Sequence, residues 1–268
     1  MSGQKVCLTI AGLDPSGGAG IIADVKTITA FGCFAAAAVS SVTFQNTTGV
    51  FGAVHQDAAS IRGQITAVLD DLSVAAVKTG MLPTREVIEE TARILLERPV
   101  PFLVVDPVVR STSGFDLIDD AALRSLIELL FPLSLVVTPN LQEAERISGI
   151  KINSVGKVEA AAKVMLSMGA GSVLMKGGHL LESETETKAI DRLFLSDGMC
   201  REFESDYIDT KATHGTGCTL AAAITANLAL GAELPDSVSI AKNFVTRAIK
   251  TATGLGNGHS PINISAAV

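Results

Sequence analysis

The chain has 268 residues, 47% hydrophobic but only 4% aromatic, so its core must come from Ala, Val, Leu and Ile, the composition of buried parallel strands and closely packed helices. No linker interrupts it, and a single α/β domain over residues 1–268 is expected. A net charge of −7 and a pI near 5.1 leave no basic surface to draw in a phosphate backbone, which argues against nucleic acid as a partner.

The first twenty residues hold an apolar run too short for a secretory segment. The most apolar stretch, Cys218 to Leu234, carries Thr219, Thr225 and Asn227, so no membrane span is expected and a cytoplasmic location follows. The cysteines Cys7, Cys33, Cys200 and Cys218 form no C-x-x-C pair, and the histidines His55, His179, His214 and His259 are equally dispersed. Free thiols are expected rather than a zinc site or a disulfide framework.

In chain order, strands are predicted near Val6 to Gly12, Ala35 to Phe44, Val74 to Thr79, Phe102 to Asp106, Leu133 to Thr138 and Val173 to Lys176. Apolar residues at three- and four-residue spacing predict helices over Asp57 to Leu72, Thr84 to Arg98, Asp119 to Leu130 and Ser154 to Met168. Ile190 to Ser196 and Cys200 to Ile208 flank Asp197-Gly198 and predict a hairpin with a primed turn, an antiparallel edge on a mostly parallel sheet. An Ala-rich helix follows Gly217 to about Leu230, and another runs from Asp236 to about Thr253. In such sheets ligands bind beyond the carboxyl ends of the strands. Those positions hold Asp14, Gln45, Met81, Asp106, Asn140, Glu143, Lys176 and the Gly215 loop.

The first strand runs into Gly12-Leu13-Asp14-Pro15-Ser16-Gly17-Gly18-Ala19-Gly20, a turn bare enough for a ligand to approach a helix N-terminus. Gly18, Gly20 and Ala23 satisfy G-x-G-x-x-A, yet no carboxylate follows at the spacing of a dinucleotide fold, and no Lys-Ser/Thr completes a Walker motif. A tight strand-to-helix turn without a ligand remains the competing reading. The turn Thr213-His214-Gly215-Thr216-Gly217-Cys218 opens the Ala-rich helix, and its successive amides from Gly215 to Cys218 suit a transferring phosphoryl group. Cys218 stands where the helix dipole lowers a thiol pKa, as a base or nucleophile, or else it is a small buried hydrophobe. Asn140 and Glu143 end one strand with polar groups, Glu143 suiting Mg²⁺, and Lys176 ends another beside Gly177 as a polyphosphate cation.

The segments AGLDPSGGAGIIADVKT, VSSVTFQNTTGV, VKTGML, VVDPV, SGFDLI, VVTPNLQEA, VLMKGGH and HGTGCTLAAAI together resemble the ribokinase-like superfamily, and within it the hydroxymethylpyrimidine/phosphomethylpyrimidine kinases of thiamine biosynthesis. The resemblance implies a three-layer α/β/α sandwich that phosphorylates a small hydroxymethyl pyrimidine, and then its monophosphate, from ATP with Mg²⁺, as a homodimer. It also implies that Gln45 bonds the aminopyrimidine, that Met81 and Val108 line that pocket, and that Gly12, Asp14 and Ala19 lie on the substrate side. By the same resemblance Asp106 and Glu143 attend Mg²⁺·ATP, and Asn140, Lys176, Thr213 and Lys242 attend the nucleotide. Adenine is expected between the turn around Lys211 and the helix around Lys242, with Gly215, Thr216, Gly217 and Cys218 as the anion hole. Arg110 and Ser111 open a lid where many members carry Ala-Lys.

Most sugar kinases of the superfamily place an Asp where this chain has Cys218. A carboxylate there would repel a phosphomonoester acceptor, whereas a neutral thiol would not. A pyridoxal kinase of the same branch is the nearest alternative. A binding module without turnover is opposed by Asp106, Glu143 and Lys176, and a dinucleotide-dependent oxidoreductase rests on G-x-G-x-x-A alone.

Overall fold

A computed structural model describes residues 3–110, 117–177 and 187–266. Among these residues the strands are β1 (Val6–Leu13), β2 (Phe34–Asn46), β3 (Gly49–His55), β4 (Val74–Thr79), β5 (Leu103–Val105), β6 (Val136–Val137), β7 (Ser172–Met175), β8 (Lys188–Leu195) and β9 (Cys200–Asp206). They form one sheet in the order β3-β2-β1-β4-β5-β6-β7-β8-β9. The strands from β2 to β7 pair in parallel, and β3 at one edge and β8 with β9 at the other are antiparallel.

The helices are α1 (Gly20–Ala30), α2 (Ala58–Asp71), α3 (Arg85–Glu97), α4 (Asp120–Ser125), α5 (Leu141–Ser148), α6 (Val155–Ser167), α7 (Thr216–Ala229) and α8 (Leu234–Lys250). Ile61, Val87, Ala122, Ala144 and Ala161, from α2 to α6, join one core cluster with Leu8 and Ile10 of β1. On the opposite face Ile28 of α1 and Ala222 of α7 pack on Cys7 and Ala76, while Leu220 of α7 and Val238 of α8 close on Val104 and Val136. Burial of these alanines and branched residues on both faces gives the three layers that the resemblance implies.

The departures from expectation have local causes. The second strand does not end at Phe44 but runs to Asn46 and turns back as β3, because Asn46 Oδ1 accepts the Thr48 amide at 2.8 Å in an Asx turn. Both sheet edges are therefore antiparallel. At Asp197-Gly198 the turn is not primed: only Gly198 has positive φ, at 89°, and its amide bonds the Leu195 carbonyl at 3.1 Å, the arrangement of a three-residue loop with a glycine bulge. The predicted helix Asp119 to Leu130 starts on an Asp119 cap but changes to a π-turn over Leu126–Leu130. The short helix α5 was not predicted, although Asn140 and Glu143 form a reciprocal capping box at its start.

Candidate active site

The carboxyl ends of β1, β4, β5 and β6 and the N-termini of α1 and α7 enclose a cavity of about 1030 Å³. The first glycine turn supplies one wall. Asp14 accepts from the Ser16 amide at 2.8 Å, the Ser16 hydroxyl at 2.9 Å and the Ala19 amide at 3.0 Å, so a buried carboxylate fills the turn from within. His214 Nε2 lies 2.7 Å from Asp14 Oδ2, and Gln45 Nε2 lies 3.4 Å from the same ring nitrogen. Burial pushes the Asp14 carboxyl up, but the bonds from His214 and Ser16 outweigh it and hold the group below the usual range.

Two of the glycines are there for close approach. At Gly215, with φ of 84°, a Cβ would lie 1.8 Å from the Gly18 carbonyl oxygen. At Gly18 a Cβ would lie 2.4 Å from the His214 ring. The two glycine turns therefore interlock back to back, and neither tolerates a side chain at the contact.

Gly215 caps α7, and the Thr216 amide turns toward the Thr213 carbonyl at 3.3 Å. That takes Thr216 out of the expected run of four amides, of which Gly217 and Cys218 are first-turn donors without intrahelical acceptors. Opposite them, Lys176 Nζ sits 2.9 Å from Asp106 Oδ1 and 3.7 Å from Glu143 Oε2, and a Cβ on Gly217 would lie 3.2 Å from that ammonium. Thr138 donates to Asp106 at 3.1 Å, and Glu143 accepts the Asn140 amide at 2.8 Å. Burial, with Asp106 nearby, pushes the Glu143 carboxyl up to about 7 despite Lys176. Among the described residues no three metal-ligating side chains cluster. Two buried carboxylates that share one lysine, open toward a cavity, fit Mg²⁺, which takes one or two carboxylates and completes its shell with water and phosphate oxygens.

Cys218 reaches the cavity wall. The expectation of a lowered thiol pKa is corrected: burial pushes it up to about 11, against the pull of Lys78, so the group is a neutral thiol near pH 7. The bare backbone expected beside Lys176 is corrected too. A Cβ at Gly177 would lie 1.7 Å from the Ile190 carbonyl oxygen, so that glycine admits β8 and not a ligand.

Met81 is buried against Gly12, where a Cβ would lie 2.9 Å from its sulfur, and both line the cavity with Ala19, Val108, Arg110, Asn140 and Thr213. Lys242 also lines it but is bound to Asp191 at 2.9 Å. Lys211 does not line it, whereas Tyr207, Thr210, Val245 and Ile249 do. Ser111, Gly178 and His179 lie outside the described residues.

Sequence reasoning missed Lys78 and Asp24, which form a fully buried ion pair at 2.8 Å beneath the two turns. The signal was there: Lys78 is the one charged residue in the buried strand Val74–Thr79. The His214 contact with Asp14 was missed as well, because 200 residues separate the partners.

A family model for phosphomethylpyrimidine kinase matches residues 14–263. The chain is 43% identical over 263 residues to a hydroxymethylpyrimidine/phosphomethylpyrimidine kinase of Haemophilus influenzae, covering 98% of this chain and 97% of that one. A crystal structure of phosphomethylpyrimidine kinase from Clostridium difficile superposes with a TM-score of 0.80 at 40% identity, over 92% of this chain and all of that one. An ADP complex of Bacillus subtilis pyridoxal kinase superposes with a TM-score of 0.89 at 37% identity, covering 98% of both chains. Both neighbours share the parallel sheet and helical layers described above. With the family pattern running unbroken from the first glycine turn to the segment after α8, this chain belongs to the phosphomethylpyrimidine kinase family.

Proposed function

We propose that the protein transfers the γ-phosphoryl group of ATP to the hydroxymethyl group of 4-amino-5-hydroxymethyl-2-methylpyrimidine, and then a second one to the resulting monophosphate, as a step of thiamine biosynthesis. One observation carries this reading: Gly217 and Cys218, at the N-terminus of α7, line the same cavity as the Lys176, Asp106 and Glu143 cluster and as Gln45 and Met81. A phosphoryl donor and a flat aromatic acceptor can therefore meet there.

Gln45 bonds the aminopyrimidine, since an amide both accepts from an exocyclic amine and donates to a ring nitrogen. Met81 and Val108 flank the ring, and Gly12, Asp14 and Ala19 form the turn beneath it. The Gly217 and Cys218 amides draw charge from the transferring group. Asn140, Lys176 and Thr213 line the polyphosphate path, Lys242 and α8 the nucleoside, and Arg110 and Ser111 begin the cover. Asp106 and Glu143 would hold Mg²⁺, which supplies charge neutralisation to the ATP phosphates.

In the first round the hydroxyl oxygen bonds to the γ-phosphorus while the bond to the β–γ bridging oxygen breaks. The electron pair leaves on ADP, and the hydroxyl proton ends on solvent. In the second round an ionised phosphate oxygen attacks and no proton is moved. The neutral Cys218 thiol beside the acceptor adds no negative charge in either round.

The exposed Val42, Phe44, Phe51 and Val54 of the β2–β3 hairpin support a homodimer through that edge. Among the described residues no helix is long and apolar enough to cross a membrane, which is consistent with the cytoplasmic location we assign. Likeness to a pyridoxal kinase favours that vitamer as a second acceptor. Mass spectrometry of products from ATP, Mg²⁺ and the hydroxymethylpyrimidine, with pyridoxal in a parallel reaction, tests the assignment. Mono- and then diphosphorylated pyrimidine are expected; pyridoxal phosphate with no pyrimidine product would overturn it.

A further inference from the structure

The Lys78–Asp24 pair takes no part in the steps above, yet it occupies one of the costliest places in the molecule for charge. Both side chains are wholly buried, with Lys78 Nζ 2.8 Å from Asp24 Oδ2. That oxygen also accepts from Thr9 at 2.6 Å, and Asp24 Oδ1 has no partner. Replacing such a pair with apolar residues is commonly neutral or stabilising, so stability gives no reason for it.

Its position gives one. Lys78 lies on β4, on the face covered by α1 and α7, and Asp24 reaches it from α1. The ammonium tip rises to the end of the strand, where a Cβ on Gly80 would lie 2.7 Å from Nζ, and Lys78 reaches the cavity. Within the pair the ammonium is the member that acts more strongly on Cys218, opposing Asp24 there. Two other cations of the cavity are ion-paired on its open walls, Lys176 with Asp106 and Glu143, and Lys242 with Asp191, whereas the Lys78 pair is wholly buried. Lys78 thus presents the positive end of a buried ion pair behind the second glycine turn.

The two acceptors of the proposed reaction differ in what they ask of that charge. The alcohol enters neutral. The monophosphate brings an anion into a cavity already lined by Asp14, Asp106 and Glu143. An ammonium under the turn opposes this accumulation at no cost in reorganisation, since it is in place before the acceptor arrives.

We propose that Lys78, clamped by Asp24 beneath Cys218, is a positioning residue that favours the phosphorylated acceptor and so enables the second transfer more than the first. This inference rests on the two-step reading above.

The test compares kcat/KM for the hydroxymethylpyrimidine and for its monophosphate in the wild type, in Lys78→Met and in the double variant Lys78→Met/Asp24→Asn. The single variant strands a buried carboxylate and is expected to lose thermal stability, so the double variant, which removes both charges together, carries the comparison. Relative to the alcohol, activity on the monophosphate should fall by about tenfold or more, mainly through a raised KM. Equal losses with both acceptors, as a merely structural role would produce, would overturn the assignment. A wild type inert toward the monophosphate would instead remove the two-step reading, a failure visible without any variant.

Discussion

Two glycine turns open helices at the same end of the sheet, one leading into α1 and one into α7, and they handle negative charge in opposite ways. The first brings its own anion: Asp14 accepts from Ser16 and Ala19. The second leaves the Gly217 and Cys218 amides facing a cavity. Glycine content alone does not separate a binding turn from a sealed one. What separates them is whether an acidic side chain of the chain itself sits inside.

The largest expected effect follows from the place where the turns interlock. Gly215→Ala would drive a Cβ into the Gly18 carbonyl at a φ of 84°, so both turns must part. We expect a loss of about 2–4 kcal/mol of stability, and phosphoryl transfer down by about a hundredfold or more. Calorimetry and coupled ADP release measure the two, and an intact rate would separate the turns functionally.

Next is Asp14→Ala, which empties the first turn. Unpaired buried donors should cost about 1–3 kcal/mol. If the occupant alone distinguishes the turns, sulfate should now raise the melting temperature of this variant more than that of the wild type. Equal shifts would mean that the first turn is sealed by packing and not by its carboxylate.

The smallest effect concerns pH, where the acids beside the two turns should have opposite slopes. Asp14 is held below its ordinary 3.8, so its contribution is present above that value and is lost as acid titrates the folded group. Glu143 is pushed from 4.5 up to about 7, so the folded state holds the proton more tightly. Its contribution is present below pH 4.5 and is lost as pH rises through 7. Melting curves across this range, for the wild type and Glu143→Gln, should show that component vanish in the variant, and in the wild type with Mg²⁺·ATP. A pH profile unchanged by the substitution would place the titration elsewhere.

Much of this was legible in the sequence because alternation of apolar strands with amphipathic helices dictates a layered parallel sheet. The glycine turns and strand-end polar residues were readable for the same reason: strand ends converge wherever the sheet is parallel. β3 escaped because Gly49 and Gly52 interrupt a strand whose side chains are half open to solvent. α5 escaped because eight mostly polar residues carry little periodic signal, although Asn140-x-x-Glu143 announced its cap. Pairings such as Lys78 with Asp24 depend on strand register and helix placement, which no local pattern encodes.

The contact of Gly18 with Gly215 reaches beyond the present sequence. A side chain gained at either position requires the opposite loop to retreat, and both loops frame the same pocket floor. Drift at these two sites is therefore coupled, and new acceptor preferences arise more readily in the walls, around Gln45, Met81 and Val108, where side chains and not backbone meet the cavity.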